Sequence, residues 1–454
     1  MIAILLLVAL ALGIFYWILQ LDVSGMIKFA LVMVEMLAIS HILIKKYNLP
    51  SELGLVLVKS RKGIELIDSL AKHEKIFNYI ADVGNTISYG LLSIVLMKKT
   101  TTWKTFIPGI VLLFFLTVFV APLSLEVIMS IVKMETVQKA TGAVSALTDN
   151  PSIALIVVCG VLLIGGMFLL MLFGLVYYGF VVLNAAISTL FFGSDAIAQT
   201  ASGGALLLPG INLPFFEGVA ALVVVLAVHE VSHAILSRIA KVPILSSGIV
   251  LFGVIPIGAF VEPDEKKLAR VEDSRQTRVL IAGPTANLLT SIVLFFVFFG
   301  FYLATDTYRD EGLLVVSGME YGTVIYGVNG QMVDVYNYTP MNLTPNSEVV
   351  FTTNKGEITM MTNASGNVGL VGYPVYKNSI KPFYENWALG FIYTTLGLSM
   401  ALNFIVGTVN ILPVPMFDGS RIIQINVKNT TIVKVISYGA LVFFALNFLP
   451  LLFH

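Results

Sequence analysis

The sequence predicts an all-α polytopic membrane protein of about 8–10 transmembrane segments, with a small β-rich extracytoplasmic domain and a membrane-associated hairpin. Three observations predict it. Of 454 residues, 57 % are hydrophobic and only 12 % charged, a balance that a soluble chain of this length could not cover with polar surface. Apolar runs of about 20 residues, each enough to cross roughly 30 Å of hydrocarbon, recur along the chain. One stretch, 305–385, instead alternates short apolar and polar segments separated by Gly, Asn and Pro.

In order, the apolar runs occupy 2–20, 25–44, 105–132, 153–194, 217–240, 279–303, 386–412 and 431–453. The first lacks a basic n-region and a small-residue cleavage pattern, so it reads as a retained span. A weaker segment, 77–97, carries Asp82 and Asn85 and is either a span with a polar inner face or a re-entrant element. Basic residues flank it on both sides, from Lys45 to Lys75 before it and Lys98, Lys99 and Lys104 after it. Both clusters belong on one side of the membrane, which favours a non-spanning 77–97 and two crossings within 153–194.

Charge position sets the orientation. Segment 238–278 holds Arg238, Lys241, Lys266, Lys267, Arg270, Arg275 and Arg278, which places it in the cytoplasm. The 305–385 loop is acid-rich, with Asp306, Asp310, Glu311, Glu320, Asp334, Glu348, Glu357 and Glu385, and is expected outside. Sequons at Asn337, Asn342 and Asn363 agree with an external loop. Lysine plus arginine equals aspartate plus glutamate at 27 each, so no long-range field favours nucleic acid as a partner. The single cysteine, Cys159, excludes an intrachain disulfide and a thiolate metal cluster.

The chemistry lies at the end of the 217–240 run, in His229-Glu230-Val231-Ser232-His233. Imidazoles at i and i+4 project from one helical face and can share one Zn²⁺, with Glu230 beside them to move a proton. A catalytic zinc needs a third protein ligand. Among carboxylates near membrane depth Asp418 stands out, because it closes Asn410-Ile411-Leu412-Pro413-Val414-Pro415-Met416-Phe417-Asp418-Gly419 just beyond an apolar run. Pro413 and Pro415 break the helix there and let Asp418 turn back. Glu35 and His41, six positions apart, do not share a helical face and make no second metal pair.

Together these motifs resemble the site-2 protease family of intramembrane zinc metalloproteases, whose HExxH and NxxPxxxxDG signatures match 229–233 and 410–419 in the expected order. Ala282-Gly283-Pro284-Thr285-Ala286-Asn287 resembles the family's AGPxxN stretch, and Pro256-Ile257-Gly258-Ala259-Phe260-Val261 its membrane-embedded hairpin. The resemblance implies zinc ligation by His229, His233 and Asp418, and a general base and later acid in Glu230. It implies a substrate contact for Asn410, whereas interhelical hydrogen bonding suits Asn287 better. Gly258 and Phe260, in a hairpin whose edge could pair with an unwound substrate strand, are expected to bind substrate. The external segment resembles a reduced PDZ domain, through Gly322 to Val328 followed by Asn329-Gly330-Gln331-Met332-Val333, and through Leu343 to Val349 as the later strand entry.

The expected organisation is an N-terminal transmembrane region at 1–200, a catalytic core at 207–303 and 386–424, the PDZ-like insertion at 305–385 and a final helix at 425–454. The expected partners are the lipid bilayer and membrane proteins whose transmembrane segments are cut, with the active site toward the cytoplasm. Competing readings are a transporter and an inactive membrane scaffold or chaperone. The first lacks the internal symmetry such folds show, and the second should have lost Glu230 or a ligand.

Overall fold

The computed structural model describes residues 2–131, 151–204, 209, 212–305, 312–319, 323–334, 343–375 and 387–453, apart from positions 22, 24, 53, 60 and 61. The sequons at Asn337 and Asn342 and the acids Asp306, Asp310, Glu311, Glu320 and Glu385 lie outside the described residues. The chain forms two compact units, Met1–Phe295 with Thr395–His454, and Phe296–Thr394.

The first two apolar runs fold as α1 (Ile2–Gln20) and α2 (Gly25–Tyr47). A short strand pair follows, β1 (Ser51–Glu52) and β2 (Leu55–Lys59), then α3 (Lys62–Leu70) and α4 (Glu74–Tyr89). Six helices among the described residues are long and apolar enough to cross a membrane: Trp103–Met129, Val157–Phe192, Phe215–Ile239, Asp273–Ala304, Ala388–Val409 and Thr430–Leu452. The described residues are therefore mostly helical, with six candidate spans among them. α2 carries Lys28, Glu35, Lys45 and Lys46 within its length, and two further segments depart from straight crossings.

One of them is 77–97. α4 ends at Tyr89, Gly90 (φ 53) donates its N–H to Thr86 O, and a short helix, Leu92–Leu96, follows. The chain then comes back along α4: Asn85 Nδ2 donates to Thr100 Oγ1 at 3.0 Å and Tyr79 Oη to Lys104 O at 3.1 Å. On the way in Asp82 pairs with Arg278, and on the way out Lys99 pairs with Glu272. Both passages meet the same end of the Asp273–Ala304 helix, so 77–97 folds back on itself.

The other is 153–194, which forms one helical stretch, Pro151–Phe192, broken at Gly166 (φ 58, ψ −153). The arm 151–165 rises about 22 Å, less than the roughly 30 Å of a hydrocarbon core, and Val157–Phe192 forms one candidate span among the described residues. Gly90 and Gly166 break their helices against each other. A Cβ on Gly90 would stand 2.7 Å from Gly166 N and 2.6 Å from Leu163 O, and Leu91 N–H donates to Leu163 O at 2.9 Å.

The expected hairpin is the tip of a longer one, β3 (Ile244–Phe252) and β4 (Ile255–Pro263), turning at Gly253 with φ 61. It belongs to a four-stranded antiparallel sheet ordered β1-β2-β3-β4, in which β2 pairs Val56 to Leu251 and Lys59 to Gly248. The N-terminal helices hold this sheet: Ile39, Leu43 and Val56 share a cluster with Leu251, and Phe15 and Met36 share one with Phe252 and Ile255. β4 is an edge strand, lying along the Phe215–Ile239 helix.

The second unit carries a sheet ordered β10-β5-β6-β8-β9, with β7 (Gln331–Met332) paired to β6 (Val324–Val328). The others are β5 (Gly312–Ser317), β8 (Glu348–Thr353), β9 (Gly356–Met361) and β10 (Val371–Val375), and every pairing is antiparallel. Asn329 (φ 49) and Gly330 (φ 77) form the two-residue turn between β6 and β7, the backbone that Asn-Gly favours. Leu313, Val315, Ile325, Val328, Val349 and Phe351 fill its core.

Candidate active site

The Phe215–Ile239 helix sets His229 and His233 one turn apart, with their rings facing at a centroid distance of 4.7 Å. His229 Nε2 and His233 Nε2 lie 3.1 Å apart, and each lies 3.3 Å from Asp418 Oδ2. Zinc bonds of about 2.0–2.1 Å in a tetrahedron require ligand atoms roughly 3.3 Å apart, so the three present atoms fit that ion. Two imidazole nitrogens and a carboxylate oxygen are also a donor set that suits it. The three side chains are 10 %, 14 % and 16 % exposed, so the cluster is largely shielded.

Surrounding residues fix these ligands. His233 Nδ1 lies 2.7 Å from the carbonyl oxygen of Val279, which can only accept a hydrogen bond. Nδ1 therefore carries the proton, and the Nε2 lone pair is left for a cation. Asp418 arrives by the route the sequence predicts. The helix Trp387–Val409 stops, Asn410–Phe417 form turns, and Asp418 opens the helix Asp418–Asn426. Gly419 N–H donates to Asn410 O at 2.8 Å, closing the two ends of the motif on each other. Met416, with φ 99 and 87 % exposure, is held in a backbone conformation rare for a side-chain-bearing residue, and nothing in the sequence marks it.

The AGPxxN segment reaches the site through Gly283. A Cβ there would stand 2.4 Å from His233 Nε2 and 2.7 Å from His229 Nε2, so glycine keeps the space before both ligand atoms clear. Asn287, one turn further on, departs from expectation. It is fully buried, yet neither amide atom has a hydrogen-bond partner among the described residues, so it makes no interhelical bond.

Glu230 is half-buried beside His229, and the backbone N–H of Val261 on β4 approaches its Oε2 at 3.4 Å. The edge strand thus borders the metal-ligand cluster. Of the expected substrate-binding residues, Gly258 is buried where a Cβ would stand 2.9 Å from Leu226 of the HExxH helix. The Phe260 ring lies over Gly248 of the neighbouring strand, and the Asn410 side chain is half-buried without a hydrogen bond among the described residues.

On α3, outside the six candidate spans, Asp68 accepts from the guanidinium of Arg238 at the end of the HExxH helix, with Nη2 2.8 Å from Oδ2. That hydrogen bond, ahead of simple charge attraction, holds the Asp68 carboxyl below the usual carboxylate range. It ties α3 to the end of the HExxH helix.

An uncharacterized protein of Methanocaldococcus jannaschii is 27 % identical over 252 residues. The shared stretch covers 54 % of this chain and 66 % of that relative, so the chain spans just under two thirds of the relative's length. The six apolar helices and the family match point to an integral multi-pass membrane protein. Residues 217–450, more than half the chain and containing all three prospective ligands, match Peptidase family M50, and the chain belongs to that family of zinc metalloproteases, the site-2 protease family.

Proposed function

We propose that this protein is a zinc-dependent intramembrane endopeptidase that cuts transmembrane segments of other membrane proteins, as in regulated intramembrane proteolysis. The observation that carries the reading is the triangle of His229 Nε2, His233 Nε2 and Asp418 Oδ2, with sides of 3.1, 3.3 and 3.3 Å. These three residues would hold Zn²⁺. When bound, zinc lowers the pKa of a coordinated water to about 7 and polarises the scissile carbonyl. Glu230 takes the proton from water and returns it to the leaving amine.

A helical substrate hides its peptide bonds in its own hydrogen bonds, so it must unwind locally to be cut. The open edge of β4 supplies the replacement partners. Val261 N–H already turns toward Glu230, so a strand laid along 258–261 passes the general base. In this role Gly258 and Phe260 serve through their backbone and through the shape of the strand, and Asn410 holds a substrate carbonyl.

Basic residues between 238 and 278 support a cytoplasmic position for this end of the HExxH helix, with products released on that side. Arg238 follows His233 by little more than one helical turn, which brings the site near that face. The unit Phe296–Thr394 is then external, and its antiparallel sheet supports a PDZ-like filter that admits substrates whose ectodomains have been shortened.

The test uses the purified protein with a labelled transmembrane substrate. Cleavage is expected to stop on chelation, to return with Zn²⁺, and to vanish in Glu230→Gln while zinc binding remains. Undiminished cleavage by Glu230→Gln would end the enzymatic assignment, and zinc binding without cleavage by the wild type would favour a scaffold.

A further inference from the structure

The sequon Asn363-Ala364-Ser365 stands in the turn after β9, and the function above leaves it unused. All three residues are exposed. The turn holds the Asn363 carboxamide by its oxygen: Oδ1 accepts from the backbone N–H of Ser365 and of Asn367, each at 2.9 Å. Two backbone donors fix which amide atom is the oxygen. The other, Nδ2, has no hydrogen-bond partner among the described residues. The backbone closes the same turn, with Asn363 N–H donating to Asn367 O and Gly366 N–H to Asn363 O, both at 2.9 Å, and Gly366 at φ 72. Asn363 is thus an exposed side chain in one fixed conformation, with its amide nitrogen unengaged.

A second sequon, Asn429-Thr430-Thr431, repeats this local geometry. Asn429 is exposed and caps the helix Thr430–Phe448, its Oδ1 accepting from Thr431 N–H at 3.0 Å and Ile432 N–H at 3.1 Å. Its place in the chain differs. The preceding helix, Asp418–Asn426, is tied to the basic segment 238–278 by Arg421 Nη2 on Glu265 Oε2 at 2.6 Å and by Asn426 Nδ2 on Thr277 Oγ1 at 2.9 Å. Asn429 therefore goes with the face read above as cytoplasmic, and Asn363 with the unit read as external. At Asn363 there is also something to cover. β9 is an edge strand, and Met361, two residues before the sequon, is 59 % exposed. An open edge carrying an apolar side chain invites pairing with another chain unless something bulky or charged stands beside it.

We propose that Asn363 is the attachment site of an N-linked glycan and that Asn429 stays bare. The proposal rests on the external position of Phe296–Thr394 read above. The donor is a glycan carried on a lipid-linked phosphate. A bond forms between Nδ2 and the anomeric carbon of the glycan while the bond from that carbon to the phosphate oxygen breaks; the oxygen keeps the electron pair and Nδ2 gives up one proton. Nothing is oxidised or reduced. The Ser365 hydroxyl, two positions on, is the group that a transferase requires together with the asparagine. The product is a bulky hydrophilic chain beside the open edge of β9.

The full-length protein is expressed in a host whose surface proteins carry N-linked glycans, purified in detergent and digested with trypsin, and its peptides are weighed by mass spectrometry. Cleavage after Lys355 and Lys377 isolates Asn363 in 356–377, and cleavage after Lys428 and Lys434 isolates Asn429 in 429–434. Peptide 356–377 should carry added mass in whole sugar units, and 429–434 should have the mass of its bare sequence. Ser365→Ala keeps the backbone N–H that donates to Asn363 Oδ1 and removes only the hydroxyl, so the turn stays and the added mass should be lost. Ser365→Thr should retain it. A second measurement reads the side of the membrane by itself. Cys159 is the single cysteine of the chain, so in Asn363→Gln with Cys159→Ser and Ala364→Cys one thiol remains, at the sequon, and intact cells are treated with a membrane-impermeant maleimide. A bare 356–377 with that thiol labelled from outside overturns the proposal and leaves the external reading standing. A bare 356–377 with labelling only after lysis overturns both. Added mass on 429–434 overturns the proposal whatever 356–377 carries.

Discussion

At the residue scale, Gly283 and Asp68 show how a site can depend on atoms that never touch substrate. A methyl group on Gly283 would occupy the space in front of both Nε2 atoms, at 2.4 and 2.7 Å. Gly283→Ala is therefore expected to lower zinc affinity at least about tenfold, measured by chelator competition, with helical content by circular dichroism unchanged. Asp68 carries a pH signature. Its folded pKa lies below the unfolded value of about 3.9, so its contribution is fully present above that value and is lost as pH falls through the folded pKa. Both partners are substantially exposed, at 33 % and 43 %, which limits the contribution to under about 1 kcal/mol. Asp68→Asn should melt slightly below the wild type at pH 7, and the difference should shrink below pH 4 and disappear once the folded carboxyl is protonated. The HExxH spacing and the Asp-Gly signature were legible at this scale because they are local in sequence.

At the scale of elements, α4 joins the catalytic core through a part-buried, two-pronged ion pair. Arg278 Nε and Nη2 donate to Asp82 at 2.7 and 2.8 Å, and the side chains are 23 % and 11 % exposed. Asp82→Ala leaves a guanidinium buried without its partner and should destabilise the protein by about 3–5 kcal/mol, measured by denaturant unfolding in detergent micelles. Asp82→Ala with Arg278→Met should recover most of that loss, because the charge goes with its partner. Polar residues at 82 and 85 flagged the segment as unusual, and the structure folds it back on itself through Asn85 and Thr100. The break at Gly166 within 153–194 was not legible, because length alone does not mark where a helix turns. β2 escaped notice because Leu55–Lys59 is short and follows two apolar helices, and only its pairing with β3 defines it.

For the whole molecule, the prospective ligands all belong to one compact unit. His229, His233 and Asp418 lie in Met1–Phe295 with Thr395–His454, while Phe296–Thr394 forms a unit with its own core. Replacing 306–385 by a flexible linker of about 20 residues should therefore leave zinc affinity within about twofold of the wild type. The same measurement would show a large loss if the inserted unit were needed to assemble the site.

The sequence by itself determined that the chain enters a membrane, that two imidazoles share a helical face beside a carboxylate, and that a β-rich segment interrupts the helices. Each of these follows from composition or from spacing within a few turns, where backbone geometry alone relates residues. Tertiary structure decided what distant segments do together: Asp418 closing on the histidines, and β4 set beside Glu230 with β2 bracing its hairpin. Those relations depend on where Gly90, Gly166 and Pro413 turn the chain and on which surfaces then pack, and no local pattern encodes that.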